Sequence, residues 1–190
     1  MPIWIANHSF TNTHTVSRIL SMIVAGPYYF SLSRTLRWVD VPPTPLATDT
    51  LIPTEVLVYK RAYEVLAAFR NPCGPRELPT GPRGESERWS LVPPEVVLLQ
   101  KDGTYTPNIT HLYISLLVEE TDHAAPYSNV VGLHSGIRLT LDANVGEAEQ
   151  IITYPPSMIS SSGTLHWLAY TSPIERVLRL SHEISFLLTP

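Results

Sequence analysis

Tyr28-Tyr29-Phe30-Ser31-Leu32-Ser33-Arg34-Thr35-Leu36-Arg37-Trp38-Val39-Asp40-Val41-Pro42-Pro43-Thr44-Pro45 is the stretch whose reading decides the rest. Its aromatic start favours a pleated, half-buried surface, and Phe30 and Leu32 alternate with Ser31 and Ser33, so it begins as a strand. An Arg-Trp-Asp segment then runs into three prolines, which fix φ, remove backbone donors and bias the preceding residues towards extended conformations. The stretch reads as a strand leaving the core and entering a rigid, ordered loop. Such a loop presents a surface to a partner more readily than it performs chemistry.

Working outward, a chain of 190 residues suits one domain, or one with an appendage. Hydrophobic content of 44% suffices for a core, whereas 16% charged residues is low and points to surface covered by other proteins. The net charge is −4 and no Lys/Arg cluster occurs, which argues against a nucleic-acid footprint. A single cysteine, Cys73, rules out an intrachain disulfide framework and fits a reducing compartment. No basic leader precedes Phe10, and the apolar run Ile19 to Ala25 is too short to span a bilayer, so the expectation is a soluble, unprocessed chain.

In chain order, Met1 to Phe10 reads as an edge strand. A helix follows, capped by Asn12 or Thr13, with Val16, Ile19, Leu20, Ile23 and Val24 as its apolar stripe and Gly26-Pro27 as its stop. Pro53 suits a first helical position, and Val56, Tyr59, Tyr63 and Leu66 predict a second helix over Thr54 to Arg70, with Lys60, Arg61 and Glu64 on its polar side. Asn71 to Arg88, rich in proline and glycine, reads as a loop or connector. Beyond Trp89 the pattern is β, with an Asp102-Gly103 hairpin signal and strands over Ile109 to Val118, Ser128 to Leu141, Ile151 to Tyr154, Thr164 to Tyr170 and Ile184 to Leu188. Gly132 and Gly136 suggest bulges or close backbone approach. The expected fold is α+β, mainly antiparallel β and sandwich-like, as a single domain with two helices in its N-terminal third.

Chemistry is sparse. The seven histidines show no metal-ligand spacing, so no metal and no cofactor is expected. Gly132-Leu133-His134-Ser135-Gly136 resembles a nucleophile elbow only superficially, because His134 and not Ser135 holds the central position. A Ser/His hydrolase built on Ser135 is the weakest of the functional readings. Glu119-Glu120-Thr121-Asp122 reads as a solvated turn more readily than as a cation site. Four tryptophans and nine tyrosines suit a glycan platform or a protein interface. On residues alone the chain is a binding or structural module and not an enzyme.

The opening stretch resembles the baseplate wedge protein family of T4-like contractile phage tails, the product of the eighth gene in the T4 naming. In that family an aromatic strand leads through Gly-Arg to Trp, an acidic residue and a Pro-Pro-x-Pro loop. Arg34, Trp38, Asp40, Pro42, Pro43 and Pro45 match these landmarks, and Lys60-Arg61 matches the family's basic position in a following helix. The C-terminal order Ser162-Gly163-Thr164-Leu165, Trp167, Pro173-Ile174-Glu175-Arg176 and Glu183-Ile184-Ser185-Phe186 is similar too, and Val130-Val131-Gly132-Leu133 looks like the strand between. Ser33 departs from the family's glycine, and Ala169-Tyr170-Thr171 departs from its Asn-Arg pair. The resemblance implies a β-sandwich-like body and a homodimer contacting other wedge proteins in the virion tail baseplate, made in the host cytoplasm. Neither nucleic acid nor membrane insertion is part of it. Its anchors would be Arg34, Trp38, Asp40, Pro42, Pro43, Pro45, Pro173 and Arg176, none of them catalytic. A carbohydrate- or receptor-binding tail module is the alternative.

Overall fold

The computed structural model describes residues 12–34, 38–79, 86–119, 122, 125, 127–140, 153–175 and 182–189. Among them run one α-helix, α1 (Asn12–Ala25), and the strands β1 (Tyr28–Ser33), β2 (Val56–Arg61), β3 (Glu64–Arg70), β4 (Arg76–Pro79) and β5 (Ser86–Val92). The short pair β6 (Leu98–Leu99) and β7 (Tyr105–Thr106) precedes β8 (His111–Val118) and β9 (Tyr127–Ser135). Then come β10 (Arg138–Leu139), β11 (Thr153–Tyr154), β12 (Ile159–Ser161), β13 (Thr164–Glu175) and β14 (His182–Leu188). The fold is mainly antiparallel β, as the sequence suggests, with one helix in place of the expected two. None of the helices among the described residues is long and apolar enough to cross a membrane. The expected edge strand at Met1 to Phe10 lies outside the described residues.

Two compact units divide the chain, one from the described parts of Met1–Ala25, Val65–Ile114 and Ser185–Pro190, the other from Gly26–Glu64 and Ser115–Ile184. In the first, the sheet order is β14-β8-β3-β5-β4. Its core gathers Ala68, Leu78, Trp89 and Tyr113, with Leu66 and Leu91 against them. α1 buries Val16 and Ile19 completely but leaves Val24 exposed, so only the N-terminal part of the predicted stripe reaches a core. Thr13 lies inside the first turn, and its hydroxyl donates to the Gly103 carbonyl at 2.8 Å instead of capping the helix. Gly103 itself (φ 83°) turns the expected β6–β7 hairpin, Leu98 facing Thr106.

The Asn71 to Arg88 connector is also corrected: Arg76–Pro79 pairs antiparallel with Ser86–Val92, Arg76 opposite Trp89 and Leu78 opposite Glu87. Gly74 makes this possible, because a Cβ there would sit 2.3 Å from the Trp89 carbonyl oxygen.

The second unit is built on the sheet β11-β2-β1-β9-β13. β1 lies inside it, paired to β2 and β9, so Ser31 and Ser33 are as buried as Phe30 and Leu32. The predicted helix over Thr54 to Arg70 is instead a short 3-10 turn, Pro53–Glu55, followed by β2 and β3. Pro53 does open a helical turn, but β-branched Val56 and Val58 favour extension beyond it. The misleading spacing has a specific origin. Leu32 pairs with Val58 while Ser33 pairs with Val56, so Leu57 is an extra residue. That bulge brings Val56 to the face of Tyr59, and both join Tyr154 in one cluster. A three-residue apolar interval thus arises in a strand and imitates a helical stripe.

Lys60 is the second consequence. Read as polar surface on a helix, it lies in β2 in register with Phe30 and has no exposed surface. Its Nζ donates to both Asp122 carboxylate oxygens at 2.8 Å and to Glu119 Oε2 at 2.9 Å. Asp122 also accepts from the Glu119 backbone N–H at 2.7 Å and from the Thr153 hydroxyl at 2.8 Å. For Asp122 this overturns the expected solvated turn, while Glu119 stays partly exposed. Asp122 is buried and fully bonded, joining the end of β8 to β2 and β11. Removing one partner of such a pair costs about 3–5 kcal/mol, whereas replacing both by apolar groups is often close to neutral. Urea denaturation should show Asp122→Ala destabilised by about 3–5 kcal/mol, with most of that loss recovered in Lys60→Met/Asp122→Ala. A double variant as unstable as Asp122→Ala would contradict this assignment.

Candidate functional site

The proline-rich loop leaves β1 through Arg34, a non-glycine residue with φ 58°. This left-handed conformation costs roughly 1–2 kcal/mol for a residue with a Cβ. It is held by backbone bonds on both sides: Arg34 N–H donates to Glu55 O at 3.1 Å, and Asn129 N–H donates to Arg34 O at 3.2 Å. The turn lays the guanidinium over the Trp38 ring, 4.0 Å from its centroid, a cation–π contact. The family resemblance places a glycine just before this arginine; here the backbone reversal falls on the arginine itself.

Trp38 fixes the loop to the sheet. Its indole N–H donates to the Thr171 carbonyl on β13 at 2.9 Å, and its ring packs against Tyr170 at 5.2 Å. Tyr170 in turn donates its hydroxyl to Asp49 Oδ2 at 3.0 Å. The same oxygen accepts from Leu46 N–H at 2.9 Å, and Asp49 N–H returns a bond to Leu46 O at 3.0 Å, closing a side-chain-braced turn. Burial first, then the Asp49 carboxylate, raise the Tyr170 phenol, which keeps it a proton donor.

Of the residues singled out from sequence, Arg34 and Trp38 meet directly. Pro43 lines one cavity with them, Pro45 lines a neighbouring groove, and Pro42 is half-buried. Asp40 is exposed. Pro173 lies in β13 where the pairing to β9 shifts register between Tyr170 and Ile174. Arg176 lies outside the described residues. Sequence reading missed Asp49, Tyr170 and Thr171. The last two sit where this chain departs from the family's Asn-Arg pair, and that departure was the available signal.

The loop exposes aliphatic side chains among its polar ones: Val39 is 100% exposed, Val41 80% and Leu46 68%, with Asp40 and Thr44 exposed between them. An ordered turn that holds three aliphatic side chains in water has the character of a contact surface.

The serine–histidine candidates lie elsewhere in the same sheet. His134 is buried; its Nδ1–H donates to Ser162 O at 3.1 Å and its Nε2 accepts from the Ser31 hydroxyl at 2.9 Å. Gly132 is required for this packing, since a Cβ there would stand 2.6 Å from Ser31 Oγ and 3.0 Å from His134 Nε2. Close approach is therefore its role. Ser135 Oγ pairs instead with exposed His166 Nε2 at 2.6 Å, the two brought together because His166 is an extra residue in the β9–β13 ladder. Among the described residues no carboxylate orients His166, and no group of three His, Cys, Asp or Glu could hold a metal ion.

Compared with known protein families and with curated proteins, the sequence matches none.

Burial brings His134 down to about 4; the hydrogen bond to Ser162 opposes it as the next largest effect, and the neighbouring His166 adds a lesser lowering. The unfolded chain takes up this proton near the ordinary histidine value and the folded chain does so only near pH 4. Stability is therefore full above about pH 6.5 and falls as pH drops from there towards 4, by at most about 3 kcal/mol. Chemical denaturation across this window should show a loss in the native chain that is largely absent in His134→Gln. Parallel profiles would exclude His134 as the source.

Proposed function

We propose that this chain is a structural, non-catalytic subunit of a contractile phage tail baseplate, a wedge component that uses its proline-rich loop as an assembly surface. The observation that carries the reading is the loop itself. Arg34, Trp38, Tyr170 and Asp49 brace it from beneath while Val39, Val41 and Leu46 stand in water. A surface ordered before binding loses little conformational entropy on docking, which favours tight and repeatable assembly. Arg34 and Trp38, on the loop side of this brace, are landmarks of the wedge resemblance, which further implies a sandwich-like body and a homodimer. Contacts to other wedge proteins, and transmission of the contraction signal through interfaces with two packings of similar free energy, complete the role.

A glycan-binding tail module needs tryptophan faces open to a sugar. Trp38 is covered by Arg34 and packed on Tyr170, and Trp89 is buried at 4% exposure against His111. These positions favour the assembly reading. The Ser135–His166 pair is the feature favouring a hydrolase, and it lacks an orienting carboxylate among the described residues.

Trp38→Ala removes the ring beneath the loop and the bond to Thr171, while the buried core of the sheet is untouched. It should keep the β-rich circular dichroism spectrum and lower incorporation into reconstituted tails by roughly thirtyfold, as loss of an interface anchor of about 2 kcal/mol predicts. A folded variant that incorporates at the native level would overturn the assignment.

A further inference from the structure

Lys60 Nζ stands 2.8 Å from Asp122 Oδ1 and 2.8 Å from Asp122 Oδ2. A nitrogen equidistant from both carboxylate oxygens lies roughly 3.2 Å or less from the carbon between them, the separation at which reacting atoms are poised. Each oxygen has a second donor: the Thr153 hydroxyl gives to Oδ1 at 2.8 Å, and Glu119 N–H gives to Oδ2 at 2.7 Å. Glu119 Oε2 accepts from the same lysine nitrogen at 2.9 Å. The Lys60 and Asp122 side chains are 0% and 1% exposed, whereas that of Glu119 is 41% exposed. Phe30, opposite Lys60 on β1, and Val58, two residues before it on β2, share its face of the sheet and are buried.

These groups satisfy a buried ion pair, and they also supply every part of an acyl transfer. Lys60 is the nucleophile and the Asp122 carboxyl, shielded from water, is the electrophile. Thr153 O–H and Glu119 N–H are donors aimed at the oxygens that change charge as the carbon becomes tetrahedral. Glu119 offers the nitrogen one oxygen from a side chain open to solvent, which suits a proton carrier better than an acceptor of the amine. Condensation of an ammonium with a carboxylate is unfavourable in bulk water. Here fixed geometry, worth effective molarities of about 10⁵–10⁸ M, and the removal of two charges from a buried site both favour it.

We infer that the folded chain joins Lys60 to Asp122 in an intramolecular isopeptide bond, with Glu119 as proton carrier. Glu119 takes one proton from the ammonium and delivers it to Asp122 Oδ1. The resulting amine attacks Cγ, forming the C–N bond and placing negative charge on Oδ2, where Glu119 N–H receives it. Glu119 then carries a second proton from the nitrogen to Oδ1. The C–Oδ1 bond breaks, the carbonyl reforms at Oδ2, and Oδ1 leaves as water past the partly exposed Glu119 side chain. The amide nitrogen keeps one hydrogen, Glu119 ends as the carboxylate it began as, and no co-reactant is consumed. The chain folds as the open ion pair and closure is the slower step, so freshly folded protein reports ion-pair energetics. Once closed, the bond ties β2 covalently to the segment after β8, 62 positions away. Such a tie resists mechanical separation of strands that hydrogen bonds alone would release.

Intact mass spectrometry of the full chain, kept folded at neutral pH, sampled over days and then denatured, tests this. The chain should become lighter by one water, and a proteolytic digest should yield a branched fragment joining the Lys60 and Asp122 peptides. Glu119→Gln alters a partly exposed side chain and should keep the β-rich circular dichroism spectrum while forming the link about a hundredfold more slowly. Lys60→Met/Asp122→Ala should hold its full mass throughout. A native chain that keeps its full mass, or loses water only as a succinimide at Asp102-Gly103, would refute the bond. A link formed at the native rate in Glu119→Gln would refute the proton carrier. The readout needs no tail, so the bond and the wedge role stand or fall separately.

Discussion

A lysine ammonium without exposed surface has to be neutralised where it lies, and Lys60 meets that demand with both oxygens of Asp122 and one of Glu119. The constraint organises the second unit. Lys60 stands in register with Phe30 on β1 and with Thr153 on β11, and Thr153 bonds the same carboxylate. The charge cluster therefore ties β2 to β11 and to the Glu119–Asp122 segment. Apolar packing alone tolerates sliding, whereas a buried charge with fixed partners does not. β1, held between β2 and β9, delivers Arg34 to the point where the chain turns out of the sheet.

From that point the functional surface follows by short steps. Arg34 spends backbone strain on a left-handed turn that sets its guanidinium over Trp38. Trp38 uses its one polar atom on the β13 carbonyl, and Tyr170 and Asp49 secure the far end. The prolines supply stiffness. Stiffness and aliphatic exposure are what the proposed docking role calls for.

Most β strands after Trp89, the first helix and the Asp102-Gly103 hairpin were legible in the sequence because alternation and turn chemistry agree there with the tertiary result; the expected strand from Ser128 to Leu141 instead breaks at Gly136 (φ 69°) into β9 and β10, which join different sheets. The second helix was not, since the bulge at Leu57 gives Val56 and Tyr59 a three-residue interval that periodicity assigns to a helix. The burial of Lys60 was hidden for a related reason: a charged residue beside Arg61 reads as surface until its partner 62 positions away is known. Of the loop half of the site, Arg34 and Trp38 were legible, because Arg-Trp-acid-Pro-Pro-x-Pro is a local pattern, whereas Asp49 lies outside that pattern and was not. The sheet half, Tyr170 and Thr171, depends on which strand forms the edge, a matter of topology that local sequence does not encode.

Membership of this chain in a tail is the central claim of the proposed role, and quantitative mass spectrometry of purified phage particles addresses it most directly. A copy number that is a multiple of the baseplate's sixfold symmetry is the predicted result, and it would turn attention to the neighbours that meet Val39, Val41 and Leu46. Absence of the chain from the particle would contradict the wedge assignment.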